Sequence, residues 1–558
     1  MVNKEILVEK ILYYKIHFMI IAAVFLAIIK EPFTYLLAES ANIKTNSNLY
    51  TLLSLVITGG MICLWGYLSF TTLRDKRYEL LTERSYPKDH SNFNKTYTEM
   101  VEFYKHSDPY KMDINLLPIQ DWHKSDGVIL GKIKDKEGNY HLIRRKSNEN
   151  GNLVCFGLPG SGKSTTQAAP TALRFNNGKG GVFAISIKGD MLNFVKGKRK
   201  HIKVITPDKE EGSCHYNPLQ DYQHMDWTMR RNFVEMLSNI VVPEESGDNA
   251  KFFYGGARDY FCAITLYLMY KSDVGEIEEL KFHDIVDTIL SRNVFEISEE
   301  IQASDCDIAG EYTNSYIGNS EKNVAGIYNH LAKHVRPFNN GALRTLLDGK
   351  GNCITPEDLE HGDVYIDIPQ EKFEIYAPVM AIIVSNFMIA FMSREDVSSN
   401  PNLKPIIFLL DEAVQLNLDF KVLSQAMSTL RSKKVSIFLL MQSIAQLEGR
   451  YGEAHAREIM DLCAYISVIN AQDPKSRKYF QELVGMKKEY KRNTSLSTKT
   501  KEDQTNGVTV SEVDEYIFKA ADFGDLRLYN KKKNEYTNRI MVYANGKYAL
   551  AETTPCYE

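Results

Sequence analysis

Cysteine is scarce. Eight cysteines are spread over 558 residues, at 63, 155, 214, 262, 306, 353, 463 and 556, and none forms a CxxC pair. That pattern argues against a zinc ribbon and against a disulfide-built scaffold, and it predicts free thiols in a reducing cytoplasm. A basic excess is missing too. Lys and Arg number 67 against 71 Asp and Glu, for a net charge of −4. A strongly basic, non-specific nucleic-acid binder is therefore disfavoured, although a local basic patch is not. No internal repeat is visible. After Arg77 no segment reads as a membrane span. What remains is ordinary globular composition, 44% hydrophobic and 25% charged, which excludes a mostly disordered chain, a collagen and a wholly membrane-embedded protein. The length suggests roughly three or four domains.

Two apolar stretches lie within the first 77 residues. One spans about Ile11 to Ile29, with Lys15 and His17 inside it; the second, Leu49 to Leu73, carries no charge. Each suffices for a ~30 Å hydrocarbon layer, which takes ~20 helical residues. A cleaved signal peptide would have a shorter apolar core and no second span so close behind it. Lys4, Lys10 and Lys15 lie at the first flank and Arg74, Lys76 and Arg77 at the last, whereas Glu39 to Asn48 holds only Lys44 as a base. The basic excess outside the pair puts both ends in the cytoplasm. Residues 1–77 thus read as a two-helix transmembrane hairpin in the cytoplasmic membrane, carrying a large cytoplasmic part.

In that part, 78–125 reads as a tyrosine-rich connector and Gly127 to Arg145 as a β-hairpin. Short apolar or β-branched runs follow at Leu153–Phe156, Gly181–Ile187, Lys203–Ile205, Asp363–Ile368, Ile406–Leu410, Ser436–Met441, Tyr465–Ile469 and Arg539–Ala544. Runs of this kind fit strands buried on both faces of a mostly parallel sheet, and helical patterns alternate with them, so the core reads as α/β. From about 225 to 347 only helical patterns occur. The organisation expected is a connector and first half of the core at 78–224, an all-helical insertion at 225–347, and the second half of the core with a C-terminal segment at 348–558. The Lys-, Thr- and Ser-rich stretch 490–512 reads as a loop.

Residues Gly157–Ser164 read Gly-Leu-Pro-Gly-Ser-Gly-Lys-Ser and match G-x-x-x-x-G-K-[ST] in full. The run Leu153–Phe156 precedes them as a strand and a helical segment follows. Gly157, Gly160 and Gly162 allow the backbone to wrap closely, so that the loop's N–H groups, those of Ser161 and Thr165 included, can face phosphate oxygens. Lys163 supplies a point charge for the β- and γ-phosphates, and the Ser164 hydroxyl is a ligand for Mg²⁺. ATP and Mg²⁺ are the expected cofactors. Pro170 should kink or end the helix.

Such a loop needs an acid on a neighbouring strand. Ile406–Leu410 delivers Asp411 and Glu412 to a strand's carboxyl end, where ligands bind in open α/β sheets. Asp411 is the expected second metal-side group and Glu412 the general base for the attacking water. Asp367, within Asp363–Ile368 and just ahead of Pro369, is the less suitable rival. Gln442 follows another apolar strand and reads either as a γ-phosphate sensor or as a strand-end cap. Arg431 sits with Lys433 and Lys434 in what is either a solvated turn or an arginine finger.

Together these residues carry a resemblance. The two spans, the phosphate loop, the helical insertion and Leu409–Ala413 are similar to the type IV secretion coupling proteins, the VirD4/TraG/TraD-type ATPases of bacterial conjugation. The most specific stretch runs from Leu430-Arg431 through Gln442-Ser443 and Gln446-Leu447 to Tyr451-Gly452. Lys188-Gly189-Asp190 resembles the family's Lys-Gly-Glu, with Asp for Glu, and Pro170 matches a proline that follows its phosphate loop. Ser186 stands where the family often has Asp, and no acidic run precedes Glu558, so members that recruit relaxase through an acidic tail are a poor guide. The resemblance covers roughly residues 1–490. It implies a RecA-like ATPase core with an all-helical domain, assembly as a homo-hexamer, and Arg431 reaching the next subunit's nucleotide. It also implies that the partners are a relaxase–DNA complex, DNA itself and the channel proteins of a type IV secretion system. Two alternatives stay open: a docking receptor for secretion substrates with little hydrolysis, and a DNA translocase of the FtsK type. An ABC-transporter ATPase is disfavoured because no Leu-Ser-Gly-Gly-Gln signature occurs. Lys487, Lys488, Lys491 and Arg492 form a basic cluster that reads more readily as a solvated loop than as a DNA contact.

Overall fold

The computed structural model describes residues 32–39, 41, 48–60, 62, 117–118, 126–134, 138–187, 190–207, 209, 212–244, 250–316, 318–498, 504–530 and 535–553. The chain divides into two compact units, Met1–Asp108 with Lys487–Glu515, and Pro109–Met486 with Tyr516–Glu558. In the first unit an apolar helix, Asn48–Gly60, covers the first half of the second expected span. The first span, Ile11 to Ile29, and nearly all of the second span beyond Gly60 lie outside the described residues.

Sixteen strands occur among the described residues. They are β1 (Leu117–Pro118), β2 (Val128–Lys134), β3 (Tyr140–Arg145), β4 (Asn152–Phe156), β5 (Val182–Ile187), β6 (Ile202–Ile205), β7 (Asp363–Ile368) and β8 (Ile406–Leu410). The rest are β9 (Val435–Met441), β10 (Cys463–Val468), β11 (Met486–Thr498), β12 (Gln504–Tyr516), β13 (Leu528–Asn530), β14 (Glu535–Thr537), β15 (Arg539–Ala544) and β16 (Lys547–Glu552). Twelve make one sheet in the order β1-β3-β2-β16-β15-β10-β4-β9-β8-β5-β7-β6.

From β10 to β6 every neighbouring pair is parallel. From β10 outward to β1 every pair is antiparallel. The sheet is thus mixed, where the apolar runs alone predict a mostly parallel one. The reason is that β2–β3 and β15–β16 are hairpins, and short turns allow only antiparallel neighbours. The parallel strands have the predicted composition. β4, β8 and β9 are buried along their whole length, and helices cover both faces.

Between β6 and β7 the described elements are helical, including Trp227–Val241, Ala250–Asp273, Phe282–Ser291, Val294–Gln302, Asp307–Asn314 and Glu321–Val335. Asp226, Asn293 and Ser320 cap three of them by accepting backbone N–H groups in the first turn. Their apolar faces join one sheet face in a continuous core.

After β7 the helix Phe373–Met392 runs through that core. The segment Gln370–Met392 is long and apolar enough to cross a membrane, but most of it is buried within the protein. It is a core helix and adds no span.

The expected loop at 490–512 is instead part of a two-stranded ribbon, β11 with β12. Its Thr, Ser and Val content carries strand propensity.

Candidate nucleotide site

The phosphate loop leaves the sheet at Phe156, the end of β4, which lies between β10 and β9. The Gly157 N–H donates to the Met441 carbonyl on β9 (3.1 Å), and the Leu158 N–H to the Asn470 side chain just past β10 (2.9 Å). Both neighbours of β4 thereby hold the loop. Gly160 and Gly162 have φ of 75° and 93°, a region that residues with a Cβ rarely adopt. A Cβ on Gly157 would lie 2.5 Å from Ser161 Oγ.

The following helix begins as a π-turn, Ser164–Ala168, and becomes α-helical at Ala169–Arg174. Pro170 sits in the first turn of the second segment, where its missing N–H is tolerated. The Ala169 N–H reaches back to the Ser164 carbonyl, the wider spacing of a π-turn. The expected kink is therefore a change of helix type.

Lys163 is buried, 5% exposed, with its ammonium donating to the carbonyl of Gly157 (2.7 Å) and lying 3.9 Å from Glu412 Oε1. The Ser164 hydroxyl donates to Asp411 Oδ2 at 2.8 Å, across 247 residues of sequence. Asp411 is 6% exposed at the carboxyl end of β8. These two groups offer hard oxygen ligands. Among the described residues no cluster of three or more His, Cys, Asp or Glu side chains could cage a metal. The pair therefore fits Mg²⁺, which keeps waters and shares its coordination with phosphate, better than Ca²⁺ or Zn²⁺.

Glu412 adopts a left-handed conformation, φ 48° and ψ 43°, and its N–H donates to Asp411 Oδ1 (3.0 Å). Such a backbone is costly outside glycine. It turns the Glu412 side chain toward Gln442, whose Nε2 donates to Glu412 Oε2 at 2.9 Å. Gln442 Oε1 in turn accepts from Gln446 Nε2 (3.2 Å). The Cys155 thiol beneath the loop is pushed up to about 12 by burial and stays protonated, so it is no nucleophile.

Gly157 apart, the phosphate-loop residues, Asp411, Glu412 and Gln442 share one cleft of about 790 Å³. Arg431 does not join them. It is exposed in a 3₁₀ turn, Leu430–Lys433, ahead of β9, whereas Gln442 follows that strand. Seven strand residues at ~3.3 Å each separate the two ends.

Asp367 does not line the cleft. It pairs with Ser186 on β5, whose buried hydroxyl has no hydrogen-bond partner among the described residues. Lys188 and Gly189 lie outside the described residues, and Asp190 opens the helix Asp190–Val195.

The cleft also has walls that the motifs do not announce. Gln370, Glu371 and Glu374 follow β7, and Asn538 and Thr553 flank β15 and β16. The available signal was positional: β7 is a parallel strand like β8, so residues after it fall at the same sheet edge.

The strand order puts β9 between the phosphate-loop strand and the strand bearing Asp411, the arrangement of a RecA-like core. Residues 111–527 match the family described as type IV secretory system conjugative DNA transfer. The chain belongs to this family. It is similar to the type IV secretion system-coupling protein VirD4 of Bartonella henselae, with 22% identity over 60% of this chain and 52% of the relative. Protein VirD4 of Rhizobium radiobacter is 23% identical over 60% of this chain and 48% of its own length. The chain spans about half the length of these relatives. In fold it resembles the plasmid coupling protein TrwB solved with ADP and Mg²⁺, with a TM-score of 0.53 and 15% identity, over 73% of this chain and 84% of that one.

Proposed function

We propose that this protein is a membrane-anchored ATPase that couples a relaxase–DNA complex to a type IV secretion channel and drives DNA transfer in conjugation. The observation that carries this reading is the meeting of Ser164 with Asp411, and of Glu412 with Gln442 and Lys163, in one cleft of a chain from the conjugative DNA transfer family.

In this reading Gly157, Gly160, Ser161, Gly162 and Thr165 hold the phosphates with Lys163. Ser164 and Asp411 would hold Mg²⁺, which would supply positive charge to offset that of the phosphates. Glu412 takes a proton from the attacking water, and Gln442 keeps its carboxylate aimed there. Arg431 acts on the neighbouring subunit's nucleotide in a homo-hexamer, which fits its distance from its own cleft. The apolar runs at 11–29 and 49–73 anchor the chain in the cytoplasmic membrane, with both termini and the ATPase in the cytoplasm. DNA contacts through phosphates make binding salt-dependent and blind to sequence.

The test is a mating assay with Lys163→Ala. Loss of transfer with the protein still in the membrane fraction supports the proposal, and normal transfer refutes it.

A further inference from the structure

The nucleotide cleft has a second end. Lys163, Asp411 and Glu412 mark where terminal phosphates belong, on the β8 and β9 side of the loop. On the other flank of β4 the wall comes from the C-terminal strands. β15 runs antiparallel to β10, with Val468 opposite Met541, and β16 antiparallel to β15, with Arg539 opposite Glu552. The start of β15 and the end of β16 therefore fall at the same sheet edge as the phosphate loop. Asn538, just before β15, and Thr553, just after β16, line the cleft. The Thr553 N–H donates to the Asn538 carbonyl at 2.9 Å, which ties the two segments together. The Asn538 side chain is exposed and makes no hydrogen bond among the described residues.

We propose that Asn538 reads the base of the bound nucleotide, with Thr553 beside it. The proposal rests on the phosphate-loop reading above: with the terminal phosphate fixed near Glu412, the nucleoside lies at the far side of the loop. A carboxamide sets a donor next to an acceptor. In one orientation it matches the amino group and N1 of adenine. Turned by half a rotation it matches the oxo group and N1–H of guanine.

The experiment is competition of unlabelled ATP and GTP against a fluorescent ATP analogue on the full-length protein with Mg²⁺, for wild type, Asn538→Asp, Asn538→Ala and Lys163→Ala. A carboxylate accepts from both N1–H and the 2-amino group of guanine but gives adenine N1 no donor. Asn538→Asp should shift the preference toward GTP by about 10–100-fold. Asn538→Ala should weaken both nucleotides about equally. An unchanged ATP-to-GTP ratio in Asn538→Asp, with binding still lost in Lys163→Ala, overturns the base-reading role alone. Should Asn538→Asp fail to fold, unaltered affinities in Asn538→Ala overturn it equally. Absence of any Lys163-dependent binding by the wild type overturns this inference together with the phosphate-loop reading.

Discussion

Gln442 and Glu412, 30 residues apart in sequence, are joined side chain to side chain at 2.9 Å across the carboxyl ends of adjacent parallel strands. The bond gives Gln442 a definite task in the proposed mechanism. It fixes one oxygen of a carboxylate whose other oxygen lies 3.9 Å from Lys163. Gln442→Ala should therefore lower kcat by up to ~10²-fold while leaving KM for ATP nearly unchanged, because it misplaces the base without touching the phosphates. Steady-state kinetics checks this; a rise in KM alone would make Gln442 a binding residue.

Arg431 lies at the opposite end of β9 from Gln442, so any catalytic part it plays is played on another subunit. Arg431→Ala should cut hydrolysis by ~10³–10⁵-fold, the worth of an arginine finger. Mixing it with Glu412→Gln subunits should restore part of the activity, since some interfaces then join an intact base to an intact arginine. Absence of rescue at every mixing ratio contradicts action in trans.

The helical block carries its own charge network. Glu300 accepts from Lys271 (2.8 Å), Tyr267 (2.8 Å) and Arg292 (2.6 Å). These partners, Lys271 foremost, pull its carboxyl from 4.5 down to about 2. A carboxyl lowered on folding adds stability above its unfolded value, and that stability fades as pH falls from about 4.5 toward about 2. Glu300→Gln should flatten the acid limb of the melting temperature in that window. An unaltered limb would show that the network does not report on folding.

A buried ion pair braces the phosphate-loop helix. Arg199 meets Asp363 through two bonds, Nε to Oδ2 (2.5 Å) and Nη2 to Oδ1 (2.7 Å), and also donates to the Phe175 carbonyl (2.9 Å). Both side chains are fully buried. Asp363→Asn leaves a buried guanidinium without its counter-charge and should cost about 3–5 kcal/mol. Denaturant unfolding measures it; a loss under 1 kcal/mol would mean that water reaches the guanidinium.

Much of this architecture was legible in the sequence. β7, β8 and β15 begin and end where the short apolar or β-branched runs do, because strands of a covered sheet are mostly apolar. The phosphate loop was legible because its chemistry is local: one strand, one turn and one helix start supply all of it. The β2–β3 hairpin was legible as well, but the joining of the antiparallel half to the rest of the sheet was not, since β16 reaches β2 from the far end of the chain and no local pattern encodes that pairing. The same holds for Asn538 and Thr553, which reach the cleft only through the register of β15 and β16. The ribbon of β11 and β12 does not declare itself in the sequence, because a polar stretch without regular apolar alternation carries little strand signal.

The most direct test of the central claim is ATP hydrolysis by the full-length protein in lipid nanodiscs, with and without DNA, beside Lys163→Ala and Glu412→Gln. The account predicts Mg²⁺-dependent turnover that DNA stimulates, absent in Lys163→Ala, with Glu412→Gln binding ATP yet hydrolysing it slowly. Turnover that ignores both substitutions, or no turnover under any DNA condition, would contradict it.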